Sequence, residues 1–135
     1  MMNFLMLLLL PAMAMAATVQ LNNHCSSSIY VTIANASGTA VPGELKSGQA
    51  FLTPFTGLGN SFGITTTQDA YWSPTGEKLI LGASVDGGSI YWTLSSVNKS
   101  PVTPYQVTGC GGTKEANGVV RTCGEGEGIV LEVCA

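Results

Sequence analysis

The chain has 135 residues, with 5 basic and 8 acidic side chains and a formal net charge of −3. Mild acidity without a basic run excludes a nucleic-acid binder, whose affinity comes largely from Lys and Arg set against phosphates. Only 10 % of residues are charged, so neutral hydroxyl and amide groups must solvate the surface, and the length suits one hydrophobic core rather than two.

The first segment has the pattern of an export signal. Met1-Met2-Asn3 precedes the apolar run Phe4 to Leu10, then Pro11 and the small-residue stretch Ala12-Met13-Ala14-Met15-Ala16-Ala17. Short n-region, apolar h-region and A-x-A site together predict a signal peptide over residues 1–16, with Ala14 and Ala17 as neighbouring cleavage sites. The n-region has no Lys or Arg, a mild departure. Its apolar run is far short of the ~20 residues that span a bilayer. No second apolar segment or apolar tail follows, so no membrane span is expected. Residues 17–135 are predicted to be a single secreted domain, extracellular or cell-wall associated.

That domain reads as short strands separated by turns. Thr18 to Asn22 alternates polar and apolar residues. Ile29, Val31 and Ile33 share one face of a second strand, with Tyr30 and Thr32 opposite. Gln49 to Thr53 is a third, which Pro54 should end or place at an edge. Ser61 to Thr67 is a fourth. Leu79 to Ser84 and Ser89 to Leu94 flank the turn-forming Asp86-Gly87-Gly88 and predict a hairpin. Tyr105 to Thr108, Val119 to Thr122 and Ile129 to Cys134 complete the set. No stretch has helical periodicity, and at most one helical turn is expected near Leu94-Ser95-Ser96-Val97. Gly109 to Gly128 reads as a loop with one short strand. The fold class is therefore all-β, a sandwich or barrel of about eight or nine short antiparallel strands.

An even number of cysteines in a secreted chain implies two disulfides among Cys25, Cys110, Cys123 and Cys134, with three connectivities open. Their spacing is unlike a zinc site, and His24 is the only histidine. No metal and no cofactor are expected. His24, beside a disulfide cysteine and several residues past the export site, is read as a strand-end residue rather than a base or copper ligand.

The carboxylates Glu44, Asp69, Glu77, Asp86, Glu115, Glu125, Glu127 and Glu132 are the material for a glycosidase pair. Asp86 is explained by its turn, and Glu125 and Glu127 by a solvated glycine-rich loop. Asp69, close to Tyr71 and Trp72, is the most suggestive. In Tyr91-Trp92 the alternation of a strand turns one ring inward and the other outward. Tyr71-Trp72 falls in the loop-forming stretch Gln68 to Gly76, where an exposed ring suits stacking on a sugar; burial in the core is the plainer alternative for both pairs. Ligand-binding candidates are thus Tyr71, Trp72, Trp92 and Asp69. The sequons Asn35-Ala36-Ser37 and Asn98-Lys99-Ser100 are glycosylation candidates, the second followed by the disfavoured Pro101.

Several segments carry a family resemblance. Val19-Gln20-Leu21-Asn22-Asn23-His24-Cys25 with Ile29-Tyr30-Val31, and Leu45-Lys46-Ser47-Gly48-Gln49-Ala50-Phe51, resemble the opening motifs of thaumatin-like proteins. Gly63 to Thr67, Ile90 to Asn98 and the cysteine-containing tail resemble a small fungal relative of that superfamily, the Blastomyces yeast-phase-specific protein family. This resemblance implies a thaumatin-like β-sandwich. It also implies pairing of the first cysteine with the last, Cys25 with Cys134, and of Cys110 with Cys123. The extra disulfide-rich segments that build an acidic cleft in full-size thaumatin-like proteins, proposed there for β-glucan binding, are missing. No cleft residue is carried over.

The resemblance and the residues together predict a secreted, non-enzymatic fungal protein that acts by binding at the cell surface or host interface. The expected partner is a cell-wall polysaccharide or a host protein, and the expected state a monomer. A β-glucan- or chitin-binding module requires Tyr71, Trp72 or Trp92 exposed among polar neighbours. A glycoside hydrolase requires two converging carboxylates. An effector or hydrolase inhibitor requires an exposed loop or apolar patch.

Overall fold

Strands with one apolar face must stack that face against another sheet, and here two sheets do so. The computed structural model describes residues 17–135; the predicted export segment, 1–16, lies outside the described residues. Ten strands follow in order: β1 (Thr18–Asn23), β2 (Ile29–Asn35), β3 (Gly38–Leu45), β4 (Ala50–Pro54), β5 (Asn60–Thr65), β6 (Lys78–Asp86), β7 (Ser89–Val97), β8 (Tyr105–Thr108), β9 (Arg121–Gly124) and β10 (Ile129–Val133). One 3₁₀ turn, Ala70–Trp72, lies between β5 and β6. The smaller sheet runs β4-β1-β10-β8 and the larger β3-β2-β5-β6-β7-β9.

All-β architecture, a two-sheet sandwich and two disulfides agree with the expectation, and four details differ from it. The first is β3, which Pro42 and Gly43 hid. It forms as an edge strand on β2, where the register steps from Val31↔Gly43 to Ile33↔Ala40. The bulge takes up Val41 and Pro42, so the missing N–H of Pro42 breaks no central ladder. Second, no helical turn occurs at Leu94 to Val97. Residues of β7 there pair with β6 out to Lys78↔Val97, which satisfies their backbone as strand. Third, β9 lies two residues later than expected. Fourth, the strands are not all antiparallel, because β1 and β10 run parallel from Val19↔Ile129 to Asn23↔Val133. A parallel pair needs a long crossover, and here nearly the whole domain lies between the two.

The β6–β7 hairpin turns through Gly87 and Gly88, whose φ angles of +58° and +82° suit a two-residue turn that matches strand twist. Val19, Leu21, Ile129 and Leu131 from the smaller sheet belong to one core with Ile29, Val31, Phe62, Ile64, Leu79, Leu81, Ile90 and Trp92 from the larger. Trp92 is 1 % exposed, and its Nε1 donates a 2.8 Å hydrogen bond to the carbonyl of Cys110. A buried indole needs such a partner. Where β1 ends, buried Asn23 donates to the carbonyls of Leu45 (2.9 Å) and Ser27 (3.0 Å) and accepts from the Cys25 N–H (2.9 Å). Its full satisfaction ties the end of β1 to the chain at either side of β2 and β3.

Cys25 is bonded to Cys134 across 109 residues, and Cys110 to Cys123 across 13. Loop-closure entropy makes the long bridge worth about 4.7 kcal/mol and the short one about 3 kcal/mol. Cys25→Ala/Cys134→Ala is therefore expected to lower unfolding free energy more than Cys110→Ala/Cys123→Ala. Denaturant midpoints at constant m-value measure both, and the reverse order would contradict this loop-length ranking.

Candidate functional site

Alternation leaves the second face of the larger sheet to solvent. On that face Gly63 of β5 stands between Thr32 of β2 and Ile80 of β6. Gly82 of β6 stands between Ser61 and Thr93. Two glycines on adjoining strands make a shallow, hydroxyl-bordered floor, and the chain between β5 and β6 folds back onto it. The Tyr71 ring occupies the space over Gly63, where an added Cβ would meet ring carbons at 2.4 Å. Glycine inside a strand marks such a close approach.

Several contacts hold this segment. Within the 3₁₀ turn, the carbonyls of Asp69 and Ala70 accept from the N–H groups of Trp72 (3.3 Å) and Ser73 (3.2 Å). Lys78 Nζ donates a 2.6 Å bond to the Tyr71 carbonyl and lies 5.2 Å from the centre of the Tyr71 ring. A charge-assisted bond is worth ~1.5–3 kcal/mol, and the cation–π contact adds ~0.5–1 kcal/mol. Just past β7, Asn98 Nδ2 donates to the carbonyls of Pro74 and Gly76, each at 3.0 Å. Asn98 sits at φ +64°, a backbone region that Asn tolerates better than most residues. Gly76 passes so close to the Ala70 carbonyl that a Cβ would come within 2.0 Å.

Trp72 is consequently displayed rather than buried. Its ring meets Tyr71 edge-on, with centroids 4.8 Å apart and planes at 84°, and 59 % of the residue remains exposed. The core-burial alternative fails for this pair because the loop lies outside the sandwich. Asp69 is exposed at the start of the 3₁₀ turn and its side chain caps nothing. Farther along the same face, Tyr91, Gly82, Thr93 and Val120 border a hollow of about 250 Å³.

Tyr91-Trp92 splits as alternation requires, Tyr91 outward and Trp92 in the core. Trp92 is therefore corrected from ligand candidate to core residue. The structure brings Asp69, Tyr71 and Trp72 together on one loop. Four carboxylates have other partners: Glu44 accepts from Ser28 Oγ at 2.6 Å, Glu115 from Asn117 Nδ2, and Glu127 from the Gly124 N–H. The fourth, Glu132, lies 3.2 Å from His24. Among the described residues no three His, Cys, Asp or Glu side chains form a metal-binding group. Lys78, Asn98, Gly63 and Gly76 were not foreseen as parts of this site. Only the lone glycines inside β-forming runs offered a signal.

The sequence pattern of Blastomyces yeast-phase-specific protein matches residues 6–135. No curated protein sequence matches the chain. Among solved structures, the protein elicitor MoHrip2 from Magnaporthe oryzae aligns with a TM-score of 0.69 and 20 % identity, over 89 % of this chain and 100 % of that one. The thaumatin-like xylanase inhibitor TLXI aligns with a TM-score of 0.62 and 14 % identity, over 87 % and 99 %. Identities this low establish the common fold.

Gly63→Ala should displace Tyr71 and cost about 1–2 kcal/mol, since a side chain must move out of a filled space. In ¹H–¹⁵N spectra the Trp72 indole resonance is expected to shift while the Trp92 indole stays in place and protected from exchange. Unchanged stability with an unmoved Trp72 signal would contradict the packing of Tyr71 on Gly63.

Proposed function

The chain belongs to the Blastomyces yeast-phase-specific protein family, and from that premise we propose that it is exported and works by binding, without catalysis, at the fungal surface or host interface. Two disulfides suit an oxidising compartment. The working surface is the outer face of the larger sheet, and the ligand is a neutral cell-wall polysaccharide of the β-glucan or chitin class. A single observation supports this most: a tryptophan held 59 % exposed on a loop pinned by Lys78 and Asn98. An indole costs little entropy to present, since its two torsions are already restrained. Around it lie hydroxyls, backbone and the exposed Asp69 carboxylate, while the nearby Lys78 ammonium is held against the Tyr71 carbonyl.

A second reading has its own observation. Val119 and Val120 are exposed, Val120 at 66 %, and Val120 borders the hollow beside Tyr91. Such an apolar edge suits a protein partner, in keeping with fold neighbours that are an elicitor and an enzyme inhibitor.

Oxidised protein incubated with insoluble β-glucan, chitin and cellulose is expected to be retained on one of them. Trp72→Ala should weaken that retention by about tenfold or more, which corresponds to ~1.4 kcal/mol. A paired Val119→Ser/Val120→Ser variant should bind as before. Retention indifferent to Trp72→Ala would refute the platform, and no retention on any polymer would leave the protein-partner reading.

A further inference from the structure

The two sequons have opposite fates, and we propose that Asn35 carries an N-linked glycan whereas Asn98 is reserved as a structural clamp. The inference rests on export, as proposed above, because the donor for this modification is encountered on that route. The transferred group is an oligosaccharide from a lipid-linked diphosphate donor. The bond from its first sugar carbon to the diphosphate oxygen breaks, and a bond from that carbon to the asparagine Nδ2 forms. One amide proton leaves, and the lipid diphosphate departs with the electron pair of the broken bond.

Asn98 is badly placed to give up that proton. Both amide hydrogens are needed for the bonds to the Pro74 and Gly76 carbonyls, and a sugar would replace one of them. The hydroxyl of its sequon is engaged as well: Ser100 is buried, and its Oγ donates a 2.7 Å bond to the Val102 carbonyl. Pro101 separates the two.

Asn35 differs on each count. It is exposed at the end of β2, where a tight connection leads to β3 at Gly38. Its Oδ1 accepts from the Ser37 N–H at 2.9 Å, while its Nδ2 makes no hydrogen bond among the described residues. Asn35 also borders a hollow of about 430 Å³ where exposed Pro54 and Leu58 sit among mostly polar neighbours, a surface on which a first sugar can lie. Register sets it apart from the aromatic loop. The Tyr71 ring lies over Gly63, which is level with Thr32, three residues or ~10 Å along β2 from Asn35. A glycan at Asn35 leaves from the end of β2 at its turn, not from the Gly63 position that Tyr71 covers.

The full chain should be expressed in a eukaryotic host, and protein from the medium treated with a glycoamidase in heavy-oxygen water. That treatment converts each glycosylated Asn to a labelled Asp. The expected result is label at Asn35, unmodified Asn98, and loss of the glycosidase-sensitive gel shift in Ser37→Ala, which keeps both asparagines. Label at Asn98, a glycan surviving Ser37→Ala, or unmodified Asn35 in secreted protein would each overturn the inference alone. Full-length protein retained inside the cell would overturn it together with export.

Discussion

The parallel pairing of β1 with β10 is the constraint on which the rest of the molecule depends. The first and last strands are the two central members of the smaller sheet, in register from Val19↔Ile129 to Asn23↔Val133. Each also pairs with one flank strand, β1 with β4 and β10 with β8, and only their contact with each other joins the two halves into one sheet. Cys25 and Cys134 lock the pair just past its end, and the buried Asn23 amide couples it to Ser27 and Leu45 beside the larger sheet. The core side chains Val19, Leu21, Ile129 and Leu131 come from this pair, so the larger sheet has its inner face covered only when the ends meet. Contacts so distant in sequence carry a large closure entropy and slow folding, which gives the Cys25–Cys134 disulfide its value.

With its inner face covered, the larger sheet is a rigid support for its outer one. Burial of Phe62, Ile64, Leu79 and Leu81 leaves Gly63 and Gly82 facing out through the period of two. Tyr71 packs onto the first, and the 3₁₀ turn that carries it sets Trp72 upright beside it. Lys78 and Asn98, at the adjoining ends of β6 and β7, fix the loop by its carbonyls. The display of Trp72 therefore follows from strand alternation through two glycines and two clamps. A site held in this way loses little freedom on binding.

Much of this was legible in the residues. Period-2 alternation located β1 and β2, a β-favouring run located β5, and the turn-forming Asp86-Gly87-Gly88 between two such runs located the β6–β7 hairpin. The motifs around Cys25 and Ile90 to Asn98 pointed to the thaumatin-like sandwich. β3 was not legible because its pairing is imposed by β2 and a bulge rather than by its own Pro42- and Gly43-containing sequence. The parallel sense of β1 and β10 was hidden for a related reason, since strand direction is a property of topology and no local pattern encodes it. At the site, Trp72 could be named but its exposure could not be decided. That depends on a Lys78–Tyr71 contact and on Asn98, a residue whose sequon suggested a different role. Trp92 shows the converse. Alternation with Tyr91 pointed to one outward ring, but which of the two is buried is set by the register with Ala83.

The chain belongs to the Blastomyces yeast-phase-specific protein family and shares its fold with a thaumatin-like xylanase inhibitor; the outer face is its proposed binding surface. The most direct measurement is a ¹H–¹⁵N titration of the oxidised protein with soluble β-glucan and chitin oligosaccharides. Saturable shifts are expected at the Trp72 indole, Tyr71, Gly63, Ile80 and Gly82 with either sugar series. Shifts centred instead on the smaller sheet, at residues such as Gln20 and Glu132, or a Trp72 indole unmoved by both series, would contradict the assignment of this face as the binding surface.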